Sequence, residues 1–322
     1  MPEPSSPSKV TNTGAVVCAV LRALVTGGAG FIGSHVADAL LARGDEVHIL
    51  DSLATGSLEK VPAGAELHEG DIRTDAGRVF GEVRPEVCFH LAAQADVGTS
   101  VERPDYDADV NVLGMVRMLE AAREHRTHLV FSSTGGAIYG ECDGPVPETY
   151  PRQPISPYGI SKLAGEEYIF GWNRLFGSHH VVLRFANVFG PRQEPSLEGG
   201  VVAIFLDRLG RGEGTVIFGD GLQVRDFIYV GDVVRAVLAA GGHEGDVFNV
   251  GTGVEKSINE VHEACRRVTG FEREPEYGPA RAGDVLRSVI DPSLAGRELG
   301  WSMEHDLDSG LRETWASMTG PA

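Results

Sequence analysis

The hydrophobic pattern near the start of the chain predicts a strand, a glycine-rich turn, a helix and a second strand. Uninterrupted apolar runs at residues 21–25 and 47–50 are typical of strands that are buried on both faces of a parallel sheet. Between these runs, Val36, Leu40 and Leu41 recur at helical spacing. A strand, a helix and a strand in this order form one βαβ unit, which is the building block of an α/β fold.

Three glycines in the turn, Gly27, Gly30 and Gly33, form the pattern GxxGxxG. They permit a tight turn and a close approach of the backbone to a pyrophosphate, which the free amides at the helix start would bind. Asp51 ends the second strand 18 residues after Gly33, where a carboxylate can accept hydrogen bonds from a ribose diol. Because this carboxylate repels the 2′-phosphate of NADP and no arginine follows it in residues 52–56, the pattern predicts NAD.

Two later segments continue the sheet. Residues 86–94 and 128–140 each begin as an apolar strand that runs into small or hydroxyl residues, and a helical pattern containing Asn111 separates them. In an open parallel sheet the carboxyl ends of the strands form the ligand site. The predicted fold class is therefore α/β, a Rossmann-type doubly wound parallel sheet with a smaller, discontinuous α/β substrate domain.

The composition changes after Asn187, where residues 190–200 are rich in Gly, Pro and charge, and strand and helix patterns return near residue 224. This change predicts two discontinuous domains and a disordered, Pro- and Ser-rich tail. The predicted boundaries are 1–20 for the tail, 21–187 with 224–256 for the NAD-binding domain, and 188–223 with 257–322 for the substrate-binding domain.

Overall composition narrows the classes of function. The net charge of −18 over 322 residues argues against a nucleic-acid partner, because phosphate binding needs a basic face. No run approaches the roughly 20 apolar residues that span a membrane. The four cysteines lie far apart and show no CxxC or His-rich spacing. This spacing predicts no metal site and no disulfide framework, but reduced thiols in the cytoplasm.

The segment SPYGISK, residues 156–162, places Tyr158 four residues before Lys162 at the start of a predicted helix. Residues at this spacing share one face, so the ammonium group would lie close to the phenol. A phenol has a pKa near 10 in water, and a fixed positive charge favours the phenolate. The pair therefore predicts a base that works near neutral pH.

Motifs along the whole chain extend this chemistry: TGGAGFIG at 26, GDI at 70, HLAAQ at 90, FSST at 131, LRFANVFGPRQ at 183 and VRDFIYVGDV at 224. In this order and spacing the chain resembles an extended short-chain dehydrogenase/reductase, and within that family the nucleotide-sugar 4-epimerases of the UDP-galactose and UDP-glucuronate type. The resemblance implies tightly held NAD and a UDP-sugar substrate. It also implies a homodimer in which the helices carrying Asn111 and Tyr158 pack against their symmetry mates.

The resemblance assigns roles to the catalytic residues. Tyr158 would take the proton from the sugar 4-hydroxyl, and Lys162 would hold the nicotinamide ribose and lower the pKa of the tyrosine. The hydroxyl that orients the sugar is Thr134 by alignment from the strand, with Ser133 as the open alternative. A catalytically silent NAD sensor or scaffold on the same fold is the alternative of another class. Such a relative should have lost Tyr158 or Lys162, and this chain keeps both.

Residues of the NAD site follow from the same motifs. Gln94 stands where the galactose enzymes often carry lysine. The full set implied by the resemblance is Gly27, Gly30, Phe31, Ile32, Asp51, Ser52, Thr55, Gly56, Asp71, Ile72, Leu91, Ala92, Ala93, Gln94, Asn111, Ser132, Tyr158, Lys162 and Val188.

The sugar-nucleotide site is implied for the second half of the chain. Arg225 and Arg281 would bind the diphosphate, and Asp284 the uridine ribose. Arg192 could pair with the carboxylate of a uronic acid, which favours UDP-glucuronate; a neutral hexose, with Arg192 in a phosphate contact or a structural ion pair, is the alternative. The full implied set is Ser133, Thr134, Tyr158, Asn187, Arg192, Val201, Val202, Val216, Phe218, Arg225, Arg281 and Asp284.

Overall fold

The computed structural model describes residues 20–195, 200–280 and 285–320. Its strands are β1 Arg22–Thr26, β2 Glu46–Asp51, β3 Glu66–Glu69, β4 Val87–His90, β5 His128–Thr134, β6 Pro145–Val146, β7 Val181–Phe185, β8 Asn187–Phe189, β9 Val216–Phe218, β10 Val224–Arg225, β11 Phe227–Tyr229, β12 Val247–Val250, β13 Lys256–Ser257, β14 Glu276–Gly278 and β15 Arg287–Ile290. Its α-helices are α1 Phe31–Arg43, α2 Ala76–Val83, α3 Val97–Glu102, α4 Pro104–Ala108, α5 Gly114–His125, α6 Gly135–Ile138, α7 Pro157–Phe176, α8 Val201–Gly210, α9 Val230–Ala240, α10 Ile258–Thr269, α11 Ser293–Glu298 and α12 Leu307–Thr319.

Seven parallel strands form the central sheet in the order β12-β7-β5-β4-β1-β2-β3. The chain winds outward from β1 in one direction through β2 and β3, and then in the other direction through β4 and β5. The strand order reverses between β1 and β4, so a crevice opens there at the carboxyl ends of the strands. The predicted fold class, a doubly wound α/β sheet, is confirmed.

Both faces of this sheet are buried, because alternate residues of each strand point to opposite sides. In β1, Ala23 and Val25 pack into the cluster that contains Val36 of α1 and Val233 of α9. Leu24, between them, belongs to the opposite cluster with residues of α2, α5 and α7. An unbroken apolar run is therefore what a strand at the centre of this fold requires.

Smaller sheets complete the second half of the chain. A four-stranded sheet has the order β13-β10-β15-β6, and two parallel pairs join β8 to β11 and β9 to β14. Strand β6 comes from the first half of the chain and adds to this second sheet. The domain boundaries proposed from composition stay a prediction, and the predicted tail lies, apart from residue 20, outside the described residues.

The cysteines and the helices of the described residues bear on the predictions about disulfides and membrane spans. Cys88, Cys142 and Cys265 are buried free thiols, and Cys18 lies outside the described residues. Within the described ranges, no helix combines the length and the apolar character needed to cross a bilayer.

Candidate active site

The glycine turn between β1 and α1 lets backbone segments pack closer together than a side chain would allow. Gly27 has φ of +71°, and a Cβ there would lie 2.7 Å from the amide nitrogen of Ala92 after β4. A Cβ on Gly33 would lie 2.1 Å from the carbonyl oxygen of Gly27. No side chain of the described residues caps the start of α1, and Phe31, Ile32 and Gly33 of its first turn line the cavity, so their backbone N–H groups are available to a ligand there. These amides and the helix dipole favour a phosphate at this position.

Asp51 ends β2 beside this turn. Its two carboxylate oxygens accept hydrogen bonds from the backbone amides of Ala29 at 2.9 Å and Leu53 at 2.8 Å. The carboxylate is thereby fixed at the wall of the cavity, where a ribose diol can donate to its remaining lone pairs. The turn and this carboxylate together fit a dinucleotide without a 2′-phosphate.

A cavity of about 630 Å³ runs along the carboxyl ends of the strands at the switch point. We call it the NAD cavity. Every residue predicted for NAD lines it except Asn111. Tyr106, Phe185 and Ala186 line it too and were not predicted; Tyr106 lies in no motif used above, and the other two lie in LRFANVFGPRQ.

Asn111 has a different position from the one expected. It lies in a π-helical turn, Asp109–Leu113, and its side chain is buried. Its Oδ1 accepts from the amide of Gln94 at 2.9 Å, while its Nδ2 donates to Gln94 O, Asp107 Oδ1 and Ser161 Oγ. Asn111 therefore holds the loop after β4 against α7 and does not face the cavity. Gln94 lines the cavity, but its amide also bonds to Asp96 and Asp107.

Tyr158 and Lys162 lie in the first turns of α7, which Ser156 caps through a hydrogen bond from the amide of Gly159 at 3.2 Å. Lys162 is buried, and its ammonium donates to the carbonyl of Ser132 at 2.9 Å and lies 4.8 Å from the ring centre of Phe131. Burial lowers the pKa of Lys162 to about 8, against the opposing effect of the Asp107 and Glu166 carboxylates. The phenol of Tyr158 and the ammonium of Lys162 therefore line the same cavity.

Ser133 and Thr134 end β5, and successive side chains of a strand point to opposite faces. Ser133 turns toward α7, where its hydroxyl donates to Oε1 of the buried Glu166 at 2.6 Å. Ser133 and Thr134 both line the NAD cavity, but of the two only Thr134 also lines the adjoining sugar cavity described next, as Tyr158 does. The geometry favours Thr134 over Ser133 as the hydroxyl that meets a substrate.

A second cavity of about 420 Å³ adjoins the first; we call it the sugar cavity. Phe205 and Gln193 line it and were not predicted: an apolar helix position is typical of the core, and Gln193 ends the motif LRFANVFGPRQ but was given no role. The predicted residues that it brings together are Thr134, Tyr158, Asn187, Val201, Val202, Val216, Phe218 and Arg225. Arg281 and Asp284 lie outside the described residues.

Arg192 is not among the residues that line the sugar cavity. Its guanidinium pairs with Asp38 of α1 at 2.6 Å, and both side chains are more than a third exposed. Two further contacts hold the same loop in place. Lys60 pairs with Glu194 at 2.9 Å, and the ring of His35 on α1 contacts the carbonyl of Pro191. The Arg192 side chain therefore holds the loop to α1, and its contact with a sugar carboxylate stays a prediction.

Comparison with known proteins agrees with this site. Residues 23–251 match the NAD dependent epimerase/dehydratase family. The chain belongs to this family, and NAD as its cofactor is confirmed.

Individual relatives are similar over nearly their whole length. A putative UDP-glucose 4-epimerase of Methanocaldococcus jannaschii is 46% identical, over 90% of this chain and 95% of that protein. The solved UDP-glucose 4-epimerase of Thermotoga maritima, with UDP-glucose, is 46% identical with a TM-score of 0.90, covering 92% of this chain and 98% of that one. The structure of MoeE5 with UDP-glucuronic acid and NAD is 32% identical with a TM-score of 0.84, covering 92% and 98%.

The two hydroxyls at the end of β5 can be separated by mutation. We expect Thr134→Ala to lower kcat by on the order of 10²-fold, as removal of one positioned hydrogen-bonding group does, and Thr134→Ser to restore most of it. Ser133→Ala should leave kcat within a few-fold but lower the free energy of unfolding by about 1–3 kcal/mol, since Glu166 loses a buried donor. Steady-state kinetics and urea unfolding measure both effects. A larger kcat loss for Ser133→Ala would give the substrate role to Ser133.

The lowered pKa of Lys162 has a consequence for stability. The ordinary pKa is 10.5 and the folded value about 8, so between these values the unfolded chain binds more protons and stability rises with pH. We expect NAD-free wild type to gain on the order of 2 kcal/mol relative to Lys162→Met from pH 8 to pH 10. Urea unfolding of both proteins across this range measures the difference. A constant difference would show that Lys162 is not desolvated.

Proposed function

We propose that this protein is an NAD-dependent 4-epimerase that interconverts UDP-glucose and UDP-galactose. The observation that carries the proposal is the position of Thr134 and Tyr158, which line both the NAD cavity and the sugar cavity. A sugar carbon at this junction would lie between the cofactor and the phenol. The names of the Methanocaldococcus jannaschii and Thermotoga maritima relatives support the same substrate.

The residues supply the proton chemistry of such a reaction. NAD, when bound, supplies a reversible acceptor for the hydride of the sugar C4. Tyr158 would take the proton of the 4-hydroxyl and return it after the sugar has turned. Lys162, held by the carbonyl of Ser132, places a positive charge on the same helical face, which favours the phenolate of Tyr158. Thr134 would hold the 4-oxygen in line with the phenol.

Inversion at C4 needs no second acid or base, and the described residues that line the sugar cavity include no carboxylate. Gly135, Gly136 and Ala137 follow Thr134, and no Asp or Glu occurs among the described residues lining this cavity. Elimination of water by a dehydratase needs a general acid and a general base in addition to the phenol. This composition supports epimerisation rather than dehydration. It also argues against a silent scaffold, because the phenol and the ammonium remain at a formed cavity.

A neutral hexose fits the charge of this cavity better than a uronic acid. Among the described residues that line it, Arg225 is the one cation. We assign Arg225 to the diphosphate, whose charge needs a partner in any UDP-sugar. A uronate would bring a further carboxylate, which must be paired when it is desolvated. Because Arg192 pairs with Asp38 instead, the preference for UDP-glucuronate loses the residue that supported it.

A homodimer through the helices around Asn111 and Tyr158 stays a prediction. Exposed apolar side chains on these elements support it: Leu113 is 58% exposed, Ile160 56% and Tyr168 40%. Burial of such side chains in a contact between two copies would be favourable.

The test of the proposed function is epimerisation of UDP-glucose by wild type and by Tyr158→Phe. We expect wild type to form UDP-galactose and Tyr158→Phe to lose about 10²–10⁴-fold in kcat while retaining NAD, because the change removes only the proton acceptor. Chromatography of the nucleotide sugars and quantification of bound NAD give both results. Absence of UDP-galactose with wild type would refute the proposal. A tenfold or smaller loss in the variant would exclude Tyr158 as the base.

The position of Arg192 gives a test of sugar preference. We expect Arg192→Ala to change kcat/KM for UDP-glucose and the inhibition constant of UDP-glucuronate by similar factors, because the arginine supports the loop and not one sugar. Asp38→Ala removes the other half of the same ion pair and serves as the matched control. A loss of at least tenfold confined to UDP-glucuronate in Arg192→Ala would instead show a direct contact with the uronate carboxylate.

A further inference from the structure

A group of three metal-type ligands lies at the edge of the central sheet, outside the NAD and sugar cavities. His48 is on β2, and Glu66 and His68 are on the edge strand β3. His48 lies opposite Glu66 in the parallel pairing, and His68 lies two residues further along β3. Because residues two apart share a face of a sheet, all three side chains project to the same side. We call them the edge cluster.

One ligand atom from each residue of the edge cluster lies within 4.8 Å of the other two. His48 Nδ1 lies 3.1 Å from His68 Nε2 and 3.6 Å from Glu66 Oε2, and His68 Nε2 lies 3.9 Å from Glu66 Oε1. Tetrahedral Zn²⁺ with bonds of about 2.0–2.2 Å to nitrogen and oxygen separates its ligands by roughly 3.3–3.5 Å. The three separations bracket this range, so small side-chain rotations would bring the atoms to coordination distance.

The outer nitrogens of both imidazoles face carboxylates. His48 Nε2 is 3.0 Å from Glu46 Oε1, and His68 Nδ1 is 3.8 Å from Glu82 Oε2 on α2. A carboxylate that accepts the outer N–H fixes the tautomer whose inner nitrogen carries a lone pair, as in known histidine metal sites. With Glu46 accepting from His48 Nε2, the inner bond at 3.1 Å is donated by His68 Nε2. Metal binding would move the proton of His68 to Nδ1, toward Glu82, with no net proton release.

The environment of the cluster suits a bound ion that solvent can reach. The side chains of His48 and His68 are only 10% and 12% exposed, so packing already restricts them, whereas Glu66 is 67% exposed and free to adjust. An ion would enter from the Glu66 side and keep an open position for water. Two imidazoles and one carboxylate suit Zn²⁺, Ni²⁺ or Cu²⁺ rather than Mg²⁺ or Ca²⁺, which prefer oxygen ligands.

We propose that His48, Glu66 and His68 form a structural binding site for a divalent transition metal ion of the Zn²⁺ class. The ion joins edge strand β3 to β2. These strands lead into Asp51 and Asp71, which line the NAD cavity. The ion therefore steadies one wall of that cavity and takes no part in the reaction.

The experiment is calorimetric titration of tag-free, chelator-treated, NAD-loaded full-length protein with ZnCl₂. We expect one saturable Zn²⁺ per chain. His68→Gln and Glu66→Gln should each weaken binding at least tenfold, and Glu46→Gln, which keeps the three ligands, by about 10–100-fold. His125→Gln should bind as wild type does, because His125 also packs beside α2 but lies outside the edge cluster.

A second readout separates binding from folding. Excess Zn²⁺ should raise the Tm of wild type and of His125→Gln but not that of Glu66→Gln, whose exposed position makes it a mild substitution. Absence of saturable binding would overturn the proposal and leave a hydrogen-bonded histidine pair. Equal affinity in wild type, His68→Gln and Glu66→Gln would overturn it as well, because the ion would then bind elsewhere on the chain.

Discussion

A buried ion pair between Glu166 of α7 and Arg184 of β7 holds the catalytic helix against the sheet. Both side chains are at most 2% exposed, and the guanidinium donates from Nε and Nη2 to the two carboxylate oxygens at 2.9 and 2.6 Å. Ser133, which pairs with Arg184 across β5 and β7, adds a third donor. A carboxylate with this many donors is tolerated in the interior, where an unpaired one would be very costly.

This ion pair also determines the positions of Tyr158 and Lys162. Tyr158, Lys162 and Glu166 follow one another at intervals of four residues, so they lie along one face of α7. Fixing Glu166 against β5 and β7 therefore also fixes the phenol and the ammonium, which lie earlier on the same helix face. On its other side, Arg184 donates to the hydroxyl of Tyr139, which in turn donates to Asn249 on β12. The catalytic helix is thus tied to three strands through polar groups that satisfy one another.

Much of the fold and the NAD cavity could be predicted because their signals are local. The glycine turn, the run of β1 and the carboxylate of Asp51 each depend on a few consecutive residues, and the family that they indicated is confirmed. The contacts of side chains whose partners are distant in sequence were harder to predict. Asn111 was expected at NAD but bonds to Gln94 and Ser161, and Arg192 was expected at a sugar but pairs with Asp38. A polar residue in a motif can serve either purpose, and only its neighbours in space decide which.

The sequence by itself determined the βαβ order, the preference for NAD and the phenol–ammonium pair, because backbone propensity and helical spacing act over one or two turns. The tertiary structure alone decided that the Ser133 hydroxyl bonds to Glu166 while Thr134 lines the sugar cavity, since a one-residue step along a strand reverses the side-chain direction. It also brought His48 and His68 together, although no metal-binding pattern links them along the chain. Strand register, which depends on how the whole sheet packs, sets these contacts.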